Sequence, residues 1–451
     1  MALTGVAGLA WSELFLLVLT GLALCFFVAA LVFRLYVCLI GVLKPQRAKA
    51  PLAPDGLALP VYTLLIALKD EAATIPQLAA SLRALNYPPE RLDVKLLIET
   101  GDRVTRKAVL AEHWPGPAEL VTVPPGEPRT KPRALNYGLA RARGEFVVVY
   151  DAEDRPHPDQ LTASLRAFRD GPRSLACVQA PLIGQGGRGW LAAQWALEYA
   201  VQFGRLMPGL AALGLPIALG GTSNHFRRSW LETAGAWDPW NVTEDADLGL
   251  RLARLGLKVG MIHPPTLEAP PEKSGVWMAQ RSRWLKGYLQ TWLVIMRRPQ
   301  AAIGELGFGG FVSIQLTLAS SLLSALVHGP WALWLLASLA VPGLAPWPVF
   351  LALAGASYLS GVVLALAAPG RGGFGRLLLA LSQPLYWPLQ TLAMGRALYS
   401  LMRRPHYWAK TPHEPAVNDR PTPLANHSAS VTFDIRSRLP TAAAPQRSDA
   451  A

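Results

Sequence analysis

The chain has 451 residues, 51% of them hydrophobic, a formal charge of +13 and only three cysteines, enough for one large domain plus membrane spans. That excludes a small disulfide-stapled fold: Cys25 and Cys38 lie in or beside an apolar run, Cys177 stands alone in a predicted strand, and none has a CxxC partner or a histidine at metal spacing. Free, buried thiols and a reducing compartment for the soluble part are expected. The positive charge does not point to nucleic acid, because no zinc-finger or aromatic-basic module is visible, and arginines at span ends facing anionic headgroups account for it.

In chain order, the first element is the uncharged run from Leu14 to Phe33, and roughly 20 apolar residues cross a hydrocarbon core. No Lys or Arg precedes it, while Arg34, Lys44, Arg47 and Lys49 follow, the reverse of a cleaved signal peptide. Residues 1–43 are therefore read as a membrane helix with its N-terminus outside and everything from Lys44 onward in the cytoplasm.

Residues 44–274 are expected to form the cytoplasmic domain, and within it 58–272 read as alternating strands and helices. The runs at 61–68, 93–99, 118–123, 145–150 and 174–180 are short and rich in Val, Ile and Leu, with helical patterns such as 74–85 and 131–142 between them. This predicts a mostly parallel α/β sheet, Rossmann-like, covered on both faces. Ligands of such sheets bind beyond the carboxyl ends of the strands.

One of those ends is "EFVVVYDAED", a strand running into three acids. Side chains alternate in extended chain, so Asp151 and Glu153 share a direction and Asp154 points elsewhere. Two such carboxylates can hold a hard divalent cation; by itself, though, the cluster reads more simply as a polar turn that stops a strand. In "TEDAD" (243–247) Thr243 is a candidate N-cap and the acids of a first turn meet the helix dipole, which explains one or two of the three. In "QRSRW" (280–284) Gln280, Arg283 and Trp284 fall on neighbouring turns of a predicted helix, 275–297, with an apolar stripe of Trp277, Trp284, Tyr288, Trp292 and Ile295. Alone, the segment 275–305 is an amphipathic interfacial helix with a snorkelling arginine.

Residues 306–402 supply the remaining membrane segments. The stretches 308–327, 331–346, 347–369 and 377–400 can be read as four spans, with a single kinked helix over 311–341 as competitor, since Pro330, Pro342 and Pro346 punctuate the run. The basic tail that opens 403–451 requires an even number of crossings. Four leaves Arg371 and Arg376 outside; two, with an interfacial last helix, puts them inside. From about Glu414 the composition is that of a disordered tail.

Acids at a strand end, a second acidic helix start roughly ninety residues on, and QxxRW just before the spans resemble the membrane-bound processive family 2 glycosyltransferases, relatives of cellulose, curdlan and mixed-linkage β-glucan synthases. "GGTSNHFRR" (220–228) and "RRPHYWAKT" (403–411) also look like bacterial members. The resemblance covers about 58–300 and the spans that follow. It implies a GT-A-like α/β fold, a Rossmann-like mixed sheet, with Asp151 and Glu153 as the Mg²⁺ or Mn²⁺ and diphosphate site. Glu153 stands where the family usually has aspartate, which leaves Asp154 as a candidate replacement. Asp245, with Glu244 beside it, matches the catalytic base motif; Arg283 matches the diphosphate-holding arginine. Trp284 with Gln280 matches the acceptor-binding part, Lys131 near Asn136 the lysine at the nucleotide diphosphate, and Glu99 and Asp102 the uridine region, although the usual "DDG" is absent.

The chemistry needs those types. A sugar hydroxyl becomes a nucleophile only when a carboxylate takes its proton, and the departing diphosphate needs cationic stabilisation in a water-poor site. The resulting expectation is a multi-pass enzyme of a bacterial inner membrane, its catalytic domain cytoplasmic, using a UDP-sugar, UDP-glucose above all, to extend a β-glucan-type exopolysaccharide. Two alternatives are single-sugar transfer to a lipid acceptor and a catalytically silent nucleotide-sensing scaffold. Five spans with sparse polar residues (Gln315, His328, Gln383, Gln390) are few for a sugar-lined pore. The expected partners are the donor, a polysaccharide or lipid-linked acceptor, the bilayer and separate export or regulatory subunits, because a tail of roughly forty residues cannot build a β-domain of several paired strands.

Overall fold

The computed structural model describes residues 2–44, 59–344, 346–370 and 372–407; Arg47, Lys49, Arg371 and the tail from Trp408 lie outside them. Ten strands form two sheets: β1 (Tyr62–Leu68), β2 (Leu92–Glu99), β3 (Ala118–Val123), β4 (Phe146–Tyr150), β5 (Arg155–Pro156), β6 (Leu175–Gln179), β7 (Leu182–Gly184), β8 (Asn224–Arg227), β9 (Lys258–Met261) and β10 (Thr266–Glu268). The main sheet has the order β3-β2-β1-β4-β8-β6-β9, and a small one the order β5-β10-β7. Only β8 runs against its neighbours in the main sheet. The five predicted strands each fall within a residue of their expected bounds.

The near-continuous apolar runs of the central strands β1 and β4 follow from burial on both faces. Leu64, Ile66, Val148 and Tyr150 pack with the helices Ile75–Arg83 and Gln160–Asp170. The alternate residues Leu65, Val147 and Val149 pack with the helices Lys131–Leu139 and Glu244–Arg254 on the other side. Parallel β1, β2 and β4 then carry their C-terminal residues to one edge, which places Glu99 and Asp151 together beyond the sheet. Antiparallel β8 returns to that edge: the amide of Ser223 donates to the carbonyl of Val149 at 2.8 Å, so the Gly220–Thr222 loop lies beside the end of β4.

Among the described residues three helical segments are long and apolar enough to cross a membrane: Leu17–Leu43, Pro299–Ala340 and Pro348–Ala367. The first is the end of a longer helix, Ala2–Leu43, so Arg34 lies within it. The stretches 308–327 and 331–346, read above as two spans, belong instead to one kinked helical path as far as Ala340, with a π-turn at Gln315–Ala319 and Pro330 inside. Proline breaks a helix through an unmet carbonyl and a clash, and membrane helices tolerate it where neighbours re-satisfy the backbone. Here Thr391 of the last helix enters the ladder: its hydroxyl accepts from the amide of Gly329 at 2.8 Å and donates to the carbonyl of Ala325 at 2.6 Å. Gly329 permits this, since a Cβ there would lie 2.9 Å from that of Thr391.

The stretch 377–400 is divided at Ser382 into Phe374–Leu381 and Gln383–Arg403. Arg376 is buried and its guanidinium caps the carbonyls of Ala368 and Pro369 at 2.7 and 2.8 Å. All three cysteines are free; Cys38 and Cys177 are buried, whereas Cys25 is exposed on the first helix, contrary to expectation.

Candidate active site

β4 ends at Tyr150, and the next residues divide as alternation predicts. Asp151 and Glu153 line a cavity, while Asp154 is fully buried and turned away. One oxygen of Asp154 accepts from the hydroxyl of Thr222 and, at 2.7 Å, from the amide of Asp151. Burial, then the charges of Asp151 and Glu153, pushes its carboxyl well above the usual carboxylate range. Asp154 therefore fastens the turn, and the candidate metal pair is Asp151 with Glu153.

Lys131 opens its helix beneath the same cavity. Its ammonium is ion-paired with Asp151 and donates to the carbonyl of Gly221 at 2.7 Å. Burial would lower its pKa, but Asp151, Glu244 and Asp245 around it hold it above the ordinary lysine range. Asn136, a turn further on, exchanges two hydrogen bonds with the backbone of Trp237; it anchors the strap that leads to the acidic helix.

That helix begins at Glu244, after Thr243, which makes no side-chain cap. Glu244 and Asp245 line the cavity, whereas Asp247 points back into an ion pair with Arg251 at 2.7 Å. Burial, then the neighbouring Asp245, pushes Glu244 up to about 7 against the opposing pull of Lys131 and Arg283. Asp245 is raised too, mainly by burial. Two acids and two bases thus share one water-poor space.

The helix Ser274–Met296 closes the site from the membrane side. It comes so near the start of the acidic helix that a Cβ on Gly287 would lie 2.2 Å from the hydroxyl of Thr243, and Asn241 bonds across to Thr291 at 2.9 Å. Arg283 and Trp284 face the cavity. Gln280 accepts from the indole of Trp195 at 2.9 Å, so its oxygen is already engaged within the wall.

Glu99, Lys131, Asp151, Glu153, Glu244, Asp245, Gln280, Arg283 and Trp284 thus line one cavity of about 1410 Å³. Asp102 does not. It caps the helix Arg103–Ala111 by accepting from the amide of Thr105 at 3.0 Å and also holds the amide of Asp70 at 2.6 Å. Glu99 is half-buried, 3.8 Å from Arg133.

Sequence reasoning missed a second set of residues. Arg281, inside the QxxRW segment, grips both oxygens of Glu198 at 2.8 and 2.6 Å and lies 4.7 Å from the ring centre of Trp284. The hydroxyl of Tyr386 also donates to Glu198, at 2.9 Å, and Tyr199 stacks between Trp195 and Trp284. Glu268, at the end of β10, lines the same cavity. An internal Arg in a basic motif was visible in the sequence; its partner Glu198, some eighty residues away, carried no signal.

With the geometry in place, residues 146–369 match the model of glycosyl transferase family group 2. That segment is a family 2 glycosyltransferase domain. It is similar to the beta-monoglucosyldiacylglycerol synthase of Synechocystis, 27% identical over 64% of this chain and 61% of that one. A poly-beta-1,6-N-acetyl-D-glucosamine synthase of Staphylococcus aureus is 25% identical over 50% and 54%. The glycosyltransferase chain therefore spans under two thirds of the length of these curated relatives, and their names place it in family 2 at large rather than with cellulose or curdlan synthases. A mannosyltransferase of Pyrobaculum calidifontis, solved with GDP-Man and Mn²⁺, shares the fold with a TM-score of 0.56 at 20% identity, over 85% of this chain and 97% of that one. The GT-A-like mixed sheet expected from sequence is what the glycosyltransferase has.

Proposed function

We propose that this glycosyltransferase moves a hexose, with inversion, from a nucleoside diphosphate sugar to a hydroxyl of a membrane lipid at the cytoplasmic face of a bacterial inner membrane. The observation that carries the reading is the single cavity that joins the charged site to the membrane helices: sugar donor and lipid can meet without either leaving its own medium. Asp245 is the base that takes the acceptor proton, and Glu244 beside it tunes its charge. Lys131 and Arg283 face the negative charge that grows on the leaving diphosphate. Trp284 offers an apolar face to a pyranose ring.

A divalent cation fits the remaining pair. Asp151 and Glu153 present hard oxygen donors to the cavity, and with phosphate oxygens and water they suit Mg²⁺ or Mn²⁺; the ion would neutralise charge on the departing phosphate. Among the described residues no group of three or more His, Cys, Asp or Glu side chains could hold a metal alone. Glucose as the sugar and diacylglycerol as the acceptor are supported by what the Synechocystis relative is named for; UDP as its carrier follows from the resemblance of the sequence motifs.

The Staphylococcus relative favours a second reading, extension of a β-linked polysaccharide, the β-glucan expectation among its forms. One experiment separates the two: membranes containing the protein, labelled UDP-glucose or UDP-N-acetylglucosamine, Mg²⁺ or Mn²⁺, then extraction. Label in the organic phase with a single sugar per lipid supports the proposal; label held in a long chain overturns it in favour of the polymer.

A further inference from the structure

The cavity does not stop at Trp284. It continues between the helices Pro299–Ala340 and Pro348–Ala367 and the last helix, lined along one stripe by Thr317, Ser320, Ser324 and His328, whose spacing of three and four puts them on one face. Thr317 and Ser320 donate their hydroxyl hydrogens to carbonyls one turn back, at 2.7 Å each. His328 is less settled. Its ring stacks on Trp387 at 5.1 Å, and its Nδ1 is buried with no hydrogen-bond partner among the described residues. A polar atom left so at membrane depth costs free energy unless a ligand meets it.

Beyond His328 the wall turns apolar. Trp331 and Leu335 continue the stripe, with Trp334, Phe350, Leu353 and Ala354 around them. Trp331 and Trp334 meet edge to face at 5.1 Å, Trp334 and Phe350 at 5.9 Å, and the Trp334 indole donates to the carbonyl of Leu344 at 2.8 Å. These rings are pinned to one another and to the backbone, so they form a fixed floor. At 1.5 Å per helical residue the polar stripe from Thr317 to His328 is about 16 Å long, and the apolar pit from His328 to Leu335 about 10 Å.

We infer that this limb seats the acceptor lipid: its glycerol and ester oxygens lie along the polar stripe by His328, and one acyl tail ends against the floor of Trp331, Trp334 and Phe350, which sets the tail length accepted. The inference rests on the lipid-acceptor reading above. A sugar polymer would want hydrogen-bonding groups along its whole path, and beyond His328 the stripe continues only as Trp331 and Leu335, with Trp334, whose indole is taken by the carbonyl of Leu344, beside them.

The test uses the full chain in vesicles holding short-, medium- and long-tailed diacylglycerols together, with UDP-glucose and Mn²⁺, and reads the ratio of glycosylated products by mass spectrometry. A ratio cancels differences in the amount of folded enzyme between variants. Phe350→Ala, which deepens the pit, should move the ratio toward long tails, and Ala354→Trp, which fills it, toward short ones, each by at least about threefold, since even one methylene in a hydrophobic pocket changes selection about tenfold or more. Ratios unchanged from wild type in both variants overturn the inference while the lipid reading stands. Sugar found only in a polymer, with no tailed lipid glycosylated, overturns both.

Discussion

The two acidic clusters of this glycosyltransferase, Asp151–Asp154 and Glu244–Asp247, look alike in sequence and divide their labour in the same way. In each, two carboxylates face the cavity and one is turned into the protein: Asp154 fastens Thr222 and the amide of Asp151, Asp247 fastens Arg251. The local period does the sorting. At the strand end it is alternation; on the helix, Asp247 pairs one turn on, at i and i+4. A run of acids at a catalytic edge is thus part architecture and part chemistry, and the two parts can be separated by substitution.

The largest contrast is expected within the helical cluster. Asp245→Asn should lower transfer by roughly 10² to 10⁴, the usual contribution of a general base, whereas Asp247→Asn should keep nearly wild-type turnover; equal losses would erase the division. In the strand-end cluster Asp151→Asn should lower kcat/KM by about 10² to 10³, as when an electrostatic group is removed from the leaving-group side. Added Mn²⁺ should restore part of that loss, and a wild-type rate in Asp151→Asn would remove Asp151 from the site.

A smaller effect distinguishes the two cavity-facing acids of the helix. Burial and Asp245 hold Glu244 at about 7, up from 4.5, so its protonated form is the one the fold favours. The group's contribution to stability is full below about pH 4.5 and is lost as pH rises through about 7. Catalysis runs the other way, because the base Asp245 must be ionised and burial raises it too: kcat/KM should climb with pH. Glu244→Gln removes one charge of the pair. Its ascending limb should shift to lower pH and its stability should lose the slope between about pH 4.5 and 7; a profile superimposable on wild type would show that the two acids are not coupled.

Much of this was legible in the sequence, for definable reasons. Apolar β-branched runs bounded by turns locate the strands, and a parallel sheet then fixes where its ligands sit, so Glu99 and Asp151 fall together at strand ends, whereas Lys131 was singled out only by the family resemblance. Asp151 and Glu153 separated from Asp154 by the period of extended chain alone. What could not be read was tertiary partnership. Asp102, at a strand end like Glu99, is taken by a helix cap; Glu198 meets Arg281 only because two helices distant in sequence pack together. Pro330 looked like a boundary, and Thr391, which bridges the Gly329 amide and the Ala325 carbonyl beside it, belongs to another helix altogether.

The smallest expected effect concerns Asp154, and it decides whether that residue is architecture. Its carboxyl is buried, one oxygen accepts from Thr222 and the amide of Asp151, and the other has no hydrogen-bond partner among the described residues. Burial keeps it protonated well above the ordinary range, so the native group is a neutral acid of nearly the shape of an asparagine side chain. Asp154→Asn should therefore preserve the accepting oxygen and change stability by less than about 1 kcal/mol, while Asp154→Ala strands the Thr222 hydroxyl and the Asp151 amide at about 1–3 kcal/mol. Thermal unfolding in detergent measures the difference between the two. If Asp154 were instead a metal ligand, the order would be seen in Mn²⁺ dependence rather than in unfolding: the Asn variant would need far more Mn²⁺ for half-maximal rate while melting like wild type, and Glu153 would lose its place in the site.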